Sequence, residues 1–345
     1  MTTPTAPPPD EEILDAPAEA GQPAWKRFLT SSSTSIFLVL VGLIAVFSLL
    51  QFEQFFTVSN ARNVATDAAV LLIVATGLTY VIITAGIDLS VGSVLVFSSV
   101  VAARAMNAVG GGDTWGVIIV GLVVGLAAGL GWGMLNGFLV AKAKIPSFIV
   151  TLGTLGMALG AALLITGGVD ERNVPFKLVE TIGTGRLFDQ IPYLILIAAA
   201  IALLFGIILA QTRFGRYTYA IGSNEEGVRR AGVNVDRHLI KVYGLSGALA
   251  GFAGVLSLAR FGTTSIAGNT TLNLDAIAAI VIGGTSLFGG IGTIVGTVVG
   301  VFIPAVLRNG FVIVGVQPFW QQVAVGAVLI VAVYLDQLRR ARYAR

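Results

Sequence analysis

The sequence predicts an all-α, polytopic membrane protein, a transmembrane helical bundle of about ten spans with an inverted repeat. Three observations predict it. Of 345 residues, 55% are hydrophobic and 11% charged, with mean hydropathy +0.88, whereas soluble chains carry about 25% charged residues. The apolar runs are mostly long enough to cross about 30 Å of hydrocarbon. Two of them carry glycine at every fourth position, the small-xxx-small surface on which membrane helices approach closely.

In chain order, residues 1–33 form the first unit. Met1–Gln22 are rich in Pro, Ala, Thr and acids and lack apolar periodicity, which reads as a disordered cytoplasmic tail. They contain no apolar core of a cleavable signal peptide. The transmembrane region, 34–338, holds ten apolar runs: 34–50, 65–84, 90–106, 115–140, 146–166, 191–210, 240–259, 274–288, 290–308 and 318–335. Residues 339–345 are a basic cytoplasmic tail. With both termini inside, 14 Lys and Arg fall on the cytoplasmic side and seven outside, as the positive-inside rule requires.

The third and eighth runs are short and lie five apart. The fourth and ninth, also five apart, carry the ladders Gly121, Gly125, Gly129, Gly133, Gly137 and Gly292, Gly296, Gly300. An odd offset inverts the second copy, and paired interrupted helices in inverted repeats point to a transport pathway near the midplane.

The main polar interruption after the tail is 211–241. Ser223 and Glu226 have the spacing of a capping box. Glu225 faces Arg229 and Glu226 faces Arg230 at i,i+4, the favourable order for the helix dipole. Gly232 supplies a stop. The expectation is a helix over Asn224–Ala231, about 12 Å long. Too short to be stable alone, it reads as a docking knob for a second protein; the alternative is a solvated connector.

Several chemistries are excluded. The chain has no cysteine and one histidine, so thiolate and multi-histidine metal sites are ruled out, and no metal or cofactor is expected. His238 is expected in a solvated loop. No lysine follows a glycine, so the phosphate loop G-x-x-x-x-G-K-[ST] is missing. Hence the chain is expected not to be an enzyme. A net charge of +3, scattered, gives no reason to expect nucleic acid.

For the pathway, Asn136, Thr151, Thr154, Asn273 and Asp275 offer hydrogen-bonding groups, with Trp132, Phe148, Phe252 and Phe288 as flat apolar faces. Asp88 has two readings: a helix cap after the break at Gly86, or an acid that lines the route. The acids Asp67, Asp88, Asp275 and Asp336 sit in loops or at run ends, which disfavours proton coupling.

Four stretches, in order, resemble the ribose-type monosaccharide permeases of bacterial ABC importers: AGIDLSVGS (Ala85–Ser93), the run Trp132–Thr154, GSNEEGVRRAGV (Gly222–Val233) and IGGTSLFGGIGTIVGTVVG (Ile282–Gly300). The resemblance implies a multi-pass protein of the bacterial inner membrane that imports ribose or a related sugar. It also implies the partners: an ATP-binding-cassette ATPase, a periplasmic or lipid-anchored sugar-binding protein and a second permease copy, within membrane lipid. The ATPase would be met by Ser223, Asn224, Glu225, Glu226, Gly227, Val228, Arg229 and Arg230. A branched-chain amino-acid permease, a secondary sugar transporter and, more weakly, a channel are the competing readings.

Overall fold

The protein is described here from a computed structural model, over residues 32–110, 112–267 and 271–317 and isolated positions between 320 and 334. The tail 1–31, most of the run 318–335 and the basic segment 339–345 lie outside the described residues. The helices are α1 (Ser32–Leu50), α2 (Phe52–Phe55), α3 (Val58–Ile83), α4 (Val91–Val109), α5 (Trp115–Ala141), α6 (Ser147–Thr166) and α7 (Phe176–Leu178). They continue as α8 (Tyr193–Gln211), α9 (Arg213–Ser223), α10 (Glu225–Arg230), α11 (Val235–Phe261), α12 (Leu272–Ile282) and α13 (Ile294–Val314). A π-turn over Val179–Gly183 and a hairpin of β1 (Arg186–Leu187) and β2 (Ile191–Pro192) complete the described elements.

Local chemistry sets the boundaries. Thr57 caps α3 by accepting from the Asn60 N–H at 3.1 Å, and Thr293 caps α13 through Gly296 at 3.0 Å. Left-handed Gly110, Gly167, Gly262 and Gly315 end α4, α6, α11 and α13, a conformation glycine adopts without a Cβ penalty.

Among the described residues, seven helices are long and apolar enough to span a membrane: α3, α4, α5, α6, α8, α11 and α13. Two shorter apolar helices, Ile36–Leu50 within α1 and α12, accompany them. The described residues thus show fewer than the ten expected, most of the tenth run lying outside them. The eighth run stops at Ile282, because a segment with Gly284, Gly289 and Gly290 all at positive φ cannot continue a helix. Two runs also start earlier than expected, at Val58 and Val235. The second extension puts His238 inside α11, 6% exposed, its Nε2 2.9 Å from the Thr218 hydroxyl and its ring 4.6 Å from that of Phe214. It is therefore not a solvated loop residue. The first puts Asp67 within α3, more than two turns from its start, rather than at its end.

α3 and α11 form the buried centre, and α5, α6 and α8 expose most of their surface, as lipid-facing helices do. The glycine ladder of α5 lies on α11. A Cβ built on Gly129 would come 2.2 Å from the Gly247 carbonyl oxygen, and one on Gly133 2.2 Å from that of Tyr243. α11 answers with its own small face: Cβ atoms on Gly247 and Gly251 would meet Gly129 and Gly125 oxygens at 2.2 and 2.4 Å. Gly296 and Gly300 of α13 pack in the same way on α12 and its C-cap Gly283, would-be Cβ atoms standing 2.1 Å from the Gly283 oxygen and 2.0 Å from the Ala279 oxygen, while Gly292 lies before α13 and faces Thr285.

Candidate functional site

The loop between α8 and α11 folds as two helices. α9 runs through Ser223, whose hydroxyl donates to the Tyr219 carbonyl oxygen at 3.0 Å. Asn224, extended at φ −158°, is the cap of α10, its Oδ1 accepting from the Gly227 N–H at 2.8 Å. The expected Ser223 cap is thus corrected by one residue, because Ser223 is already helical. α10 spans Glu225–Arg230, about 9 Å, shorter than expected. Both charge pairs form, at 2.8 Å each. Gly232 closes the helix at φ +80°, with Gly232 and Val233 N–H groups on the Arg229 and Val228 carbonyls, a Schellman closure.

α10 is anchored from beneath. Val228 is half-buried and packs with Ala141, Ile221, Val235 and Leu239, so it faces the bundle and not outward. Asp236 gathers three cations: Arg229 at 2.5 Å, Lys142 at 3.1 Å and Lys144 at 3.3 Å. Its hydrogen bond, and then that of Glu225, pushes the Arg229 guanidinium above its ordinary range. The outward face is left with Asn224, Glu225, Glu226, Gly227 and Arg230, all exposed.

Beside α10 the chain makes its closest approach to two helix breaks. A Cβ on Gly222 would stand 1.8 Å from the Ile83 carbonyl oxygen and 2.6 Å from the Gly290 nitrogen. The Gly290 N–H donates to that same Ile83 oxygen at 2.9 Å, and the Tyr219 hydroxyl to the Gly292 oxygen at 2.6 Å. Ile83 opens the break 84–90 between α3 and α4, and Gly290 lies in the break 283–293 between α12 and α13. Phe288 and Ile291, flanking Gly289–Gly290, are exposed at this end. Phe288 therefore stands at the end of the bundle that carries α10 and not among the buried polar residues expected on the pathway.

The break 84–90 is held by neighbouring helices. Ala85 adopts φ 60°, a conformation disfavoured for a residue with a Cβ. Asp88, 1% exposed, accepts from the Ser90 N–H at 2.9 Å and Ser90 hydroxyl at 2.6 Å, with the Ser246 hydroxyl at 3.4 Å. The N-cap of α4 is Ser90, so Asp88 ties the turn before the helix together. Asn136 donates to the Ser90 hydroxyl oxygen at 2.8 Å, and Asn273 to the Leu89 carbonyl at 3.0 Å. Ser147 receives the Ile87 N–H at 3.2 Å, and the Thr151 hydroxyl donates to the Ile87 carbonyl at 3.3 Å. Asp88, Asn136, Thr151 and Asn273 thus converge on one segment. Thr154 bonds only within α6, to the Val150 and Thr151 carbonyls, and Asp275 turns to Arg308 instead.

Residues 60–333 match the family described as branched-chain amino acid transport system / permease component. The chain belongs to this permease family. The permease is 37% identical over 321 residues to the ribose import permease protein of Escherichia coli K12, covering 92% of this chain and 96% of that one. It is 35% identical over 333 residues to the galactose/methyl galactoside import permease protein of the same strain, at 92% and 98% coverage. With the fructose import permease protein of Rhizobium meliloti it shares 34% identity over 319 residues, at 90% and 87% coverage. No solved structure matches it.

Sequence reasoning on the permease missed Gly222, Tyr219 and Asp236. Gly222 had a local signal, a glycine directly before the loop helix, but what it touches is 139 residues away at Ile83. Asp236 was legible only as a charge near Lys142 and Lys144 once α5 and α11 were neighbours.

Proposed function

We propose that this permease is the membrane-spanning subunit of an ATP-binding-cassette importer that carries a monosaccharide, ribose or a related pentose or hexose, into the cytoplasm. The observation that supports it most is likeness over about nine-tenths of the chain to permeases named for ribose, galactose and fructose import. The branched-chain amino-acid reading rests on the family description alone.

A separate ATPase subunit supplies the energy. Its docking surface is the exposed face of α10 with Phe288 and Ile291, where capping and ion pairs give a stiff, ordered ridge. A soluble sugar-binding protein delivers substrate to the opposite end, and two permease copies enclose the route. The loop 211–241 and both termini face the cytoplasm, in agreement with the 14-to-seven bias of basic residues. The membrane region is read as ten spans in an inverted repeat; separately, the two helix breaks that follow α3 and α12 both reach Gly222. Asp88, Asn136, Thr151 and Asn273 hold the first break in its buried position beside the route.

The test is reconstitution. The permease with its ATPase and binding protein is expected to accumulate labelled monosaccharide only with ATP, and the permease alone to accumulate none. Uptake by the permease alone under an imposed proton or sodium gradient would establish the secondary-transporter reading instead.

A further inference from the structure

The half of the bundle remote from α10 holds a charged cavity of about 240 Å³. Asp67 stands about 24 Å along α3 from Ile83, and Arg308 about 21 Å along α13 from Ile294. The walls carry two complementary pairs, Arg260 with Asp67 and Arg308 with Asp275. The Arg260 guanidinium also donates to the Thr66 carbonyl at 2.7 Å and lies 5.0 Å from the centre of the Phe261 ring. Asp67 and Arg308 are about half-exposed, at 51% and 44% of their side chains, while Asp275 is 8% exposed.

Both pairs line a hollow. The other large hollows differ in kind. One of about 590 Å³ is walled by alanines, leucines and isoleucines of α3 and α8 with residues of α13, and one of about 400 Å³ is apolar as well. Such grooves suit hydrocarbon and offer a sugar few hydrogen-bond partners.

We propose that the Asp67–Arg260 and Asp275–Arg308 pocket is a monosaccharide-binding site of the permease itself. The chemistry follows from the donor and acceptor inventory: a sugar hydroxyl donates to a carboxylate while accepting from a guanidinium. Two such pairs give two of these contacts. The Phe261 ring, 55% exposed, offers a flat face to the C–H side of the ring. The volume fits a molecule smaller than the drug-sized ligands that fill about 300–1,000 Å³. The site rests on the importer reading and adds to it a point of contact beyond the binding protein.

Because the chain has no cysteine, Thr271→Cys sets a single thiol on the exposed rim of the pocket. The experiment follows its labelling by a small water-soluble thiosulfonate, with the full chain in lipid nanodiscs. Ribose, galactose or fructose, at about ten times its dissociation constant, is expected to slow labelling about tenfold, and leucine to leave it unchanged. Adding Asp67→Asn is expected to raise the protecting concentration about tenfold, by removing one charged acceptor. Asp275→Asn is the parallel variant, and size-exclusion profiles verify that both remain folded. Labelling untouched by all three sugars, protection by leucine, or equal protection with and without the Asn substitutions overturns the proposal. ATP-driven sugar uptake by the assembled complex of the parent chain separates the two claims: uptake without protection in the labelling experiment refutes the pocket alone, and no uptake by the parent complex refutes the importer reading.

Discussion

Gly222→Val is expected to abolish ATP-driven sugar uptake while leaving the permease inserted and associated with its partner. The glycine's Cα hydrogen occupies space that any Cβ would share with the Ile83 oxygen, 1.8 Å away, and the Gly290 nitrogen, 2.6 Å away. Both are backbone atoms, so relief requires α9 to move away from the two breaks. Overpacking of this kind costs about 1–3 kcal/mol, and about 1.4 kcal/mol is already tenfold in a coupled equilibrium. The damage is confined to the end of the bundle that carries α10; the glycine faces of α5 and α11 are untouched. Uptake and nucleotide hydrolysis measured together are the check, with hydrolysis persisting and uptake falling at least about tenfold. Gly232→Ala, outside that contact, is the control for loop strain: its φ of +80° makes it costly locally, yet a Cβ there meets nothing within 4 Å. Equal uptake in Gly222→Val and the parent would mean that α9 and the breaks move independently.

The second large effect belongs to the packing of α5 on α11. Gly129→Leu is expected to prevent a stable bundle, and Gly131→Leu, two residues on, to be tolerated. At Gly129 a Cβ meets the Gly247 oxygen at 2.2 Å and the Gly251 Cα at 2.7 Å, whereas at Gly131 nothing lies within 4 Å. Residues two apart on a helix face different ways, and here one faces α11 while the other is open. Even Gly129→Ala should cost about 1–3 kcal/mol; leucine must separate the helices. Monodispersity in detergent and the thermal midpoint of the purified protein read the difference. A monodisperse Gly129→Leu with the parent's midpoint would contradict the interdigitated ladders.

These two sites show what the sequence could and could not disclose. Every-fourth-residue glycine in α5 is a periodic signal and was legible, as were the Glu225–Arg229 and Glu226–Arg230 pairs, which need only helical spacing. The partner of the ladder was not, because Gly247 and Gly251 are i,i+4 within α11 but their facing helix is set by tertiary packing. The cap shifted from Ser223 to Asn224 because both residues favour that position, and the end of α9 decides between them. Val228 was read as an outward docking residue. Its burial against Ile221 and Val235 follows from α9 and α11 folding over it, which local pattern does not encode. His238 in D-R-H-L-I-K reads as polar loop, yet α11 begins at Val235 and carries it under Phe214. Asp275 was legible as a polar residue worth attention; its partner Arg308, 33 residues on, was not.

The central claim is that α10 is the surface on which an ATPase subunit acts, and cross-linking tests it most directly. The chain has no cysteine, so Glu226→Cys on the exposed face of α10 carries a benzophenone maleimide as a single probe. Val169→Cys, 66% exposed at the far end of α6, is its counterpart. Illumination of the assembled transporter is expected to join the Glu226→Cys permease to the ATPase subunit, in an adduct of the summed mass, and to give none from Val169→Cys. An assembled complex that takes up sugar yet yields no ATPase adduct from Glu226→Cys would contradict the account.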